Sequence, residues 1–195
     1  MKKLLLIVLT LIGPAYLFAQ STPGNFISPV EVYVKPNEVH QFLAQYSGEW
    51  DEVITIWLFP KSQGENFKVS STNKMILNGR FLQSSQSGYL AGSNFEGLTT
   101  LGYSTTNQRF TVTILDNLGT GTITLMGYWV TPLKTIELFG DMPTPENTDV
   151  IHIRQVITFI DKDNYVVQNF DKRAGQEEYK NFEYRFTRKS TVKVN

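Results

Sequence analysis

The sequence predicts an all-β fold: a single closed antiparallel up-and-down barrel of about ten strands, with a short N-terminal helix capping one end. Three observations carry this. From Trp50 onward, apolar residues recur with a period of two, the spacing of a half-buried strand. Turn-forming clusters interrupt that pattern every dozen residues or so. Gly48-Glu49-Trp50 opens the run and Phe182-Glu183-Tyr184-Arg185-Phe186-Thr187-Arg188 closes it, and an indole facing guanidinium groups is a contact that can seal one end of a barrel.

The first residues read as a targeting segment. Met1-Lys2-Lys3 is basic, Leu4 to Ile12 is apolar, and Leu17-Phe18-Ala19 is a cleavage context, so residues 1–19 are expected to be a signal peptide cut after Ala19 or Gln20. Its apolar part is too short to span a bilayer, so no transmembrane segment is expected after cleavage and the mature chain should be periplasmic or secreted. Residues 20–35 carry Pro23, Gly24 and Pro29 without a period and are expected to form an extended arm. Residues 36–190 are then the barrel domain. With 195 residues, 41% hydrophobic and 13% aromatic, one domain with a substantial core is expected.

Cysteine is absent, which excludes disulfides, thiolate metal sites and lipid attachment through an N-terminal Cys. Removing Lys2 and Lys3 takes the 18 basic side chains to 16 against 18 acidic ones, a formal charge of −2. Without a clustered basic surface, nucleic acid is not an expected partner.

Pro36-Asn37 starts the helix. Val39, Phe42, Leu43 and Tyr46 follow at helical spacing until Gly48 stops it. Nine turns then separate ten strands: Pro60 to Glu65, Asn78-Gly79, Ala91 to Ser93, Thr105 to Asn107, Asn117 to Thr120, Thr131-Pro132, Gly140 to Thr148, Asp161 to Asp163, and Lys172 to Glu177. Asn78-Gly79 is the clearest and predicts a two-residue type I′ hairpin, because both residues tolerate positive φ. Alternation is cleanest where Val150, His152, Arg154, Val156, Thr158 and Ile160 oppose Ile151, Ile153, Gln155, Ile157 and Phe159. Trp50 to Phe59 reads as apolar on both faces, which predicts cover from a partner subunit, a loop or the arm. A two-layer sandwich would use many of the same signals. Closure is preferred because it removes exposed strand edges, and ten strands leave room for a cavity.

Several of these motifs also carry a resemblance. Glu38-Val39-His40-Gln41-Phe42-Leu43, Gly48-Glu49-Trp50, Thr72 to Gln83, Phe95-Glu96-Gly97, Leu101-Gly102-Tyr103, Asp116 with Gly119-Thr120-Gly121, Ile153-Arg154-Gln155-Val156 and Glu183 to Arg188 follow in order. Over most of Pro36 to Arg188 the chain resembles the bacterial domain-of-unknown-function family 1579, within the calycin-like barrel group. The resemblance implies a lipocalin-like or fatty-acid-binding-protein-like barrel and brings no established reaction or ligand. Tyr103-Ser104-Thr105 departs from it, since the family commonly has Asp after the Tyr.

Candidate site residues follow from charge and aromaticity. Arg80, Glu96, Arg109 and Arg154 sit in apolar strands, where a guanidinium needs a partner or an anionic ligand. Arg80 and Arg154 are the candidates for a ligand carboxylate; the alternative pairs each with Glu96, Glu137 or Glu183. Trp57, Phe81, Phe95, Tyr103, Trp129 and Phe159 could line an apolar cavity or simply form core. Gly48, Trp50, Arg185 and Arg188 are assigned to barrel closure. His40 and His152 have no second ligand set, so neither a metal nor a cofactor is expected, and His40 reads as a capping residue. Asp161-Lys162-Asp163-Asn164 lacks the Gly and Glu of a calcium loop and reads as a turn. No nucleophile can be paired with a base, so enzymatic activity is not the expectation drawn.

Two functional readings result. In the first, the barrel holds a small, largely apolar molecule in a cavity of a few hundred Å³ or more, as small-molecule sites usually have. In the second, the interior is filled and the outer face, including that of Trp50 to Phe59, serves a partner protein or a homodimer.

Overall fold

The computed structural model describes residues 28–190; the expected signal peptide, residues 20–27 of the expected arm and the last five residues lie outside them. Two short helices precede ten strands. They are α1 (Pro29–Val34), α2 (Glu38–Ala44), β1 (Gly48–Ile56), β2 (Glu65–Ile76), β3 (Phe81–Leu90), β4 (Ser93–Ser104), β5 (Arg109–Asp116), β6 (Ile123–Thr131), β7 (Thr135–Pro143), β8 (Val150–Asp161), β9 (Asn164–Lys172) and β10 (Tyr179–Arg188). Each strand pairs antiparallel with its neighbours in sequence, and β1 pairs with β10, so the sheet closes on itself. That last pairing, with Trp50 opposite Arg188 and Ile56 opposite Phe182, decides for the barrel over the sandwich.

All nine turns fall at or beside the sites the sequence marked, with two differences. β7 runs on to Pro143, so its turn is shorter than Gly140 to Thr148. The Asn78-Gly79 hairpin is wider than two residues: Ile76 pairs with Phe81, and Arg80 N–H donates to Ile76 O at 3.1 Å. Leu77 (φ 48°), Asn78 (φ 57°) and Gly79 (φ 78°) all take left-handed conformations. Asn and Gly adopt this region readily, whereas Leu does so at a cost. Leu77→Asn is therefore expected to raise stability by about 0.5–1 kcal/mol, read as an upward shift of the thermal midpoint.

The described part of the arm also departs from expectation. Pro29–Val34 is helical rather than extended, because Ser28 caps it by accepting from Glu31 N–H at 3.1 Å and Pro29 is pre-set for the first helical position. None of its residues is buried, and two hydrogen bonds tie it to the barrel: Arg80 Nη2 donates to Val34 O at 2.6 Å and Thr105 Oγ1 to Val32 O at 2.6 Å.

α2 covers the end of the barrel at which β1 starts. Asn37 caps it, and His40 Nδ1 accepts from Asn37 N–H at 3.1 Å, completing a capping box. Burial, with Arg80 nearby, holds the His40 pKa below its ordinary value. Val39 and Leu43 are buried in the main core, while Phe42 meets Trp129 and Phe159 edge-on at centroid distances of 5.8 and 5.0 Å. A second, smaller cluster of Ile54, Val69, Leu90 and Phe95 lies toward the opposite end.

The strands pack too closely in places for any side chain. Gly127 in β6 faces inward opposite Leu138 of the neighbouring β7, and a Cβ there would sit 1.8 Å from Glu137 O. Gly127→Ala should cost about 2–3 kcal/mol because the obstacle is backbone, which cannot rotate away. Urea unfolding followed by circular dichroism would read the loss.

Candidate functional site

Inward-facing side chains on β1 alternate as Trp50, Glu52, Ile54 and Ile56, and the second of these is the feature that sets the site. Glu52 is 1% exposed. Gln86 Nε2, from β3, donates to Glu52 Oε1 at 2.6 Å, and no group among the described residues pairs with Oε2. Burial outweighs the Gln86 hydrogen bond and pushes the carboxyl pKa up to about 8. At neutral pH the group is mostly protonated.

Gln86 lies on the wall of an internal cavity of about 100 Å³. One side is polar. There Asn73 Nδ2 donates to the Tyr165 hydroxyl at 2.9 Å, Ser71 and Ser84 share a hydrogen bond at 2.9 Å, and Gln155 Nε2 donates to Asn169 Oδ1 at 2.9 Å. The rest of the wall is mostly apolar, with Leu82, Phe95, Leu101, Val112 and Ile114 on β3 to β5 and Ile157, Phe159, Val167 and Phe186 on β8 to β10. Tyr184 and Asp116 complete the wall toward the end opposite α2. The Tyr184 phenol is raised by burial and by the fields of Glu52, Asp116 and Asp171, and burial likewise raises Tyr165 and Asp171.

The cavity is smaller than the few hundred Å³ expected from strand number. Side chains fill the helix-capped end: Trp129 meets Phe110 at 4.8 Å and Tyr46 meets Phe159 at 4.5 Å. Counting strands sets the circumference, but the size of the inward residues sets the free volume.

The candidates named from sequence are distributed over several places. Phe95 and Phe159 line the cavity. Trp129 and Tyr103 face inward but belong to the filled end, where Tyr103 meets Phe110 at 4.8 Å and His40 at 5.9 Å. Trp57 lies beyond the end of β1, with Lys180 Nζ 4.4 Å from its ring centroid. Arg80 sits in the β2–β3 turn, bonded to the carbonyls of Val34, Leu77 and Asn78 beside a surface groove that also touches Tyr103. Arg154 is on the outer face, paired with Glu137 at 3.1 Å and Glu178 at 2.9 Å and lying over Phe170. Arg80 and Arg154 are therefore not together, and neither borders the internal cavity. Of the pairings considered for the two guanidiniums, Arg154–Glu137 forms, while Arg80 uses backbone carbonyls.

Arg188 packs over Trp50, its guanidinium carbon 4.3 Å from the ring centroid, and donates to the carbonyls of Ser47 at 2.8 Å, Gln45 at 2.7 Å and Lys162 at 2.7 Å and to Asp163 at 3.0 Å. Gly48 (φ 131°) lies against it, and a Cβ there would come within 2.9 Å of Arg188 Nη1. Arg185 instead points outward to Glu183 at 2.7 Å. Missed altogether from the sequence were Glu52 and Gln86, although counting by twos from Trp50 marks Glu52 as inward.

Among solved structures, Rv2717c from M. tuberculosis superposes with a TM-score of 0.58 at 15% identity, over 80% of this chain and 100% of that one. At that identity the likeness speaks for the fold alone. A redesigned β-barrel, b11L5F_LGL, gives a TM-score of 0.38 at 11% identity over 76% and 95% of the two chains, too low to add to the assignment. No curated protein matches the chain. The profile of the family described as "Protein of unknown function (DUF1579)" matches residues 35–188, which take in α2 and all ten strands, and the chain belongs to that family.

Proposed function

We propose that this protein is an exported binding barrel that holds a small molecule in its interior. The observation that carries the reading is a cavity with a mostly apolar wall into which Asn73, Ser84, Gln86 and Gln155 set polar groups, with a buried carboxyl oxygen behind Gln86 that no described group pairs with. Such a wall suits a compact ligand with an apolar body and one polar end, whose polar end would satisfy groups that are costly to leave unpaired. The volume of about 100 Å³ limits the ligand to a few non-hydrogen atoms. Export rests on the charged and apolar start of the chain, and N-terminal sequencing of the mature protein should begin after Ala19 or Gln20. Native mass spectrometry of protein purified from its own host tests the binding reading. A co-purifying small mass is expected; a bare chain that also ignores added small ligands would defeat it.

A second reading is favoured by one observation. Met126, Tyr128 and Val130 on β6 and Phe139 on β7 are 45–61% exposed on one outer face, with Met126 opposite Phe139 in register. This is an apolar strip of the kind that supports self-association. It replaces the patch anticipated at Trp50 to Phe59, where β1 stops at Ile56 and only Leu58 and Phe59 stand exposed in the turn. Sedimentation velocity on wild type and Phe139→Lys decides it: a dimer dispersed by the substitution supports association, and a concentration-independent monomer sinks it.

A further inference from the structure

The inward-facing charges of this barrel are one-sided. Asp116 lines the cavity, and Glu52 lies behind Gln86 on its wall. Among the described strand residues, the inward-facing base is Arg188. It lies at the helix-capped end and is committed to Asp163 and three backbone carbonyls. The cavity wall contains Asp116 and no Lys, Arg or His.

Glu52 supplies a separate observation. Its side chain is almost wholly buried, its Oε1 is held by Gln86 on the cavity wall, and its Oε2 has no bonding partner among the described residues. A buried carboxyl oxygen left unpaired is costly, and an N–H donor that reached it past the Gln86 side chain would satisfy it. We propose that the cavity is the seat of a small organic ammonium ion, its head beside Glu52 and Gln86 and its hydrocarbon against Phe95, Leu101, Val112 and Ile114. The inference rests on the cavity being a ligand site and adds the class of ligand. Asp116, joined by Glu52 once it has given up its proton, attracts a cation and repels a carboxylate of the same shape. A neutral ligand gains none of that attraction. Placing an ammonium near Glu52 also favours its ionised form, so binding releases a proton from the carboxyl to solvent and leaves an ion pair in the barrel.

The test is a heteronuclear NMR titration of the full mature chain at neutral pH and matched salt, with three probes of equal chain length: n-propylammonium, n-propanol and propionate. The expected result is saturable shifts in β1, β3 and β5 with propylammonium, at least about tenfold tighter than propanol, with propionate weakest. Glu52→Gln should remove the preference for amine over alcohol, and Asp116→Asn should reduce it severalfold. Folding of each variant is checked from the dispersion of the same spectra. Propylammonium binding no more tightly than propanol, or an unchanged preference in a folded Glu52→Gln variant, overturns the ammonium assignment while propanol still reports a cavity. Absence of saturable binding by all three probes overturns the cavity reading along with it.

Discussion

Trp50→Ala is expected to lower stability by about 3–5 kcal/mol, the usual cost of emptying a buried aromatic site. Trp50 is 0% exposed and joins three parts of the chain. Its indole N–H donates to Tyr46 O at 3.1 Å, just after α2; Arg188 of β10 packs on its ring; and Tyr165 of β9 meets it edge-on at 4.9 Å. β1 and β10 are the strands whose pairing closes the barrel, so the cavity left by alanine would open at the seam. Trp50→Phe keeps most of the packing and loses the N–H donor, leaving Tyr46 O unpaired by the ring, so about 1–2 kcal/mol is expected. Urea unfolding followed by circular dichroism measures both. A loss below about 1 kcal/mol for the alanine variant would show that the seam is held by the backbone ladder without the indole.

The wild-type protein is expected to lose stability as pH rises, and Glu52→Gln to be spared that loss. Glu52 is raised from 4.5 to about 8, so between those values the unfolded chain has released a proton that the folded chain still binds. Stability therefore falls with rising pH across this window: the contribution is complete below pH 4.5 and lost by about pH 8. The full effect is of order 3–5 kcal/mol for a group this buried. Gln86 moderates it by bonding the carboxylate, whereas the nearby Tyr165 and Tyr184 hydroxyls stay neutral throughout because burial raises them. Glu178 has the opposite sign, since its hydrogen bonds to Arg154 lower its pKa and its contribution is lost in acid, below this window. Denaturant midpoints of wild type and Glu52→Gln at several pH values should diverge upward in pH. Parallel curves would mean that Glu52 ionises freely in the folded state.

The sequence made the enclosure legible because each strand obeys a local rule. In β8 the apolar set Ile151, Ile153, Ile157 and Phe159 faces inward with Gln155, and Arg154 on the opposite set faces out. That alternation already argued against Arg154 as an interior ligand contact. Arg80 was harder to read: its spacing from Leu82 suits an inward position, but β3 begins only at Phe81 and the turn carries Arg80 outside. Trp57, one residue past the end of β1, has the parity opposite to inward-facing Trp50 and Ile54. Glu52 was overlooked because a single carboxylate between Asp51 and Val53 looks like an ordinary surface residue until the parity of Trp50 and Ile54 is applied. Gln86 lies in the serine-rich Gln83 to Ser87, where no local pattern distinguishes it.

By itself, then, the sequence determined the number of strands, their turns and the capping helix, since turn chemistry and the period of two act over a few neighbouring residues. Only the tertiary structure decided how much of the interior was left empty and which polar groups bordered it. Closure brings β1, β3, β5 and β9 around a common axis, and the volume that remains there depends on the summed size and rotamers of side chains far apart in sequence. The pairing of Glu52 with Gln86, 34 residues away, is the clearest product of that closure.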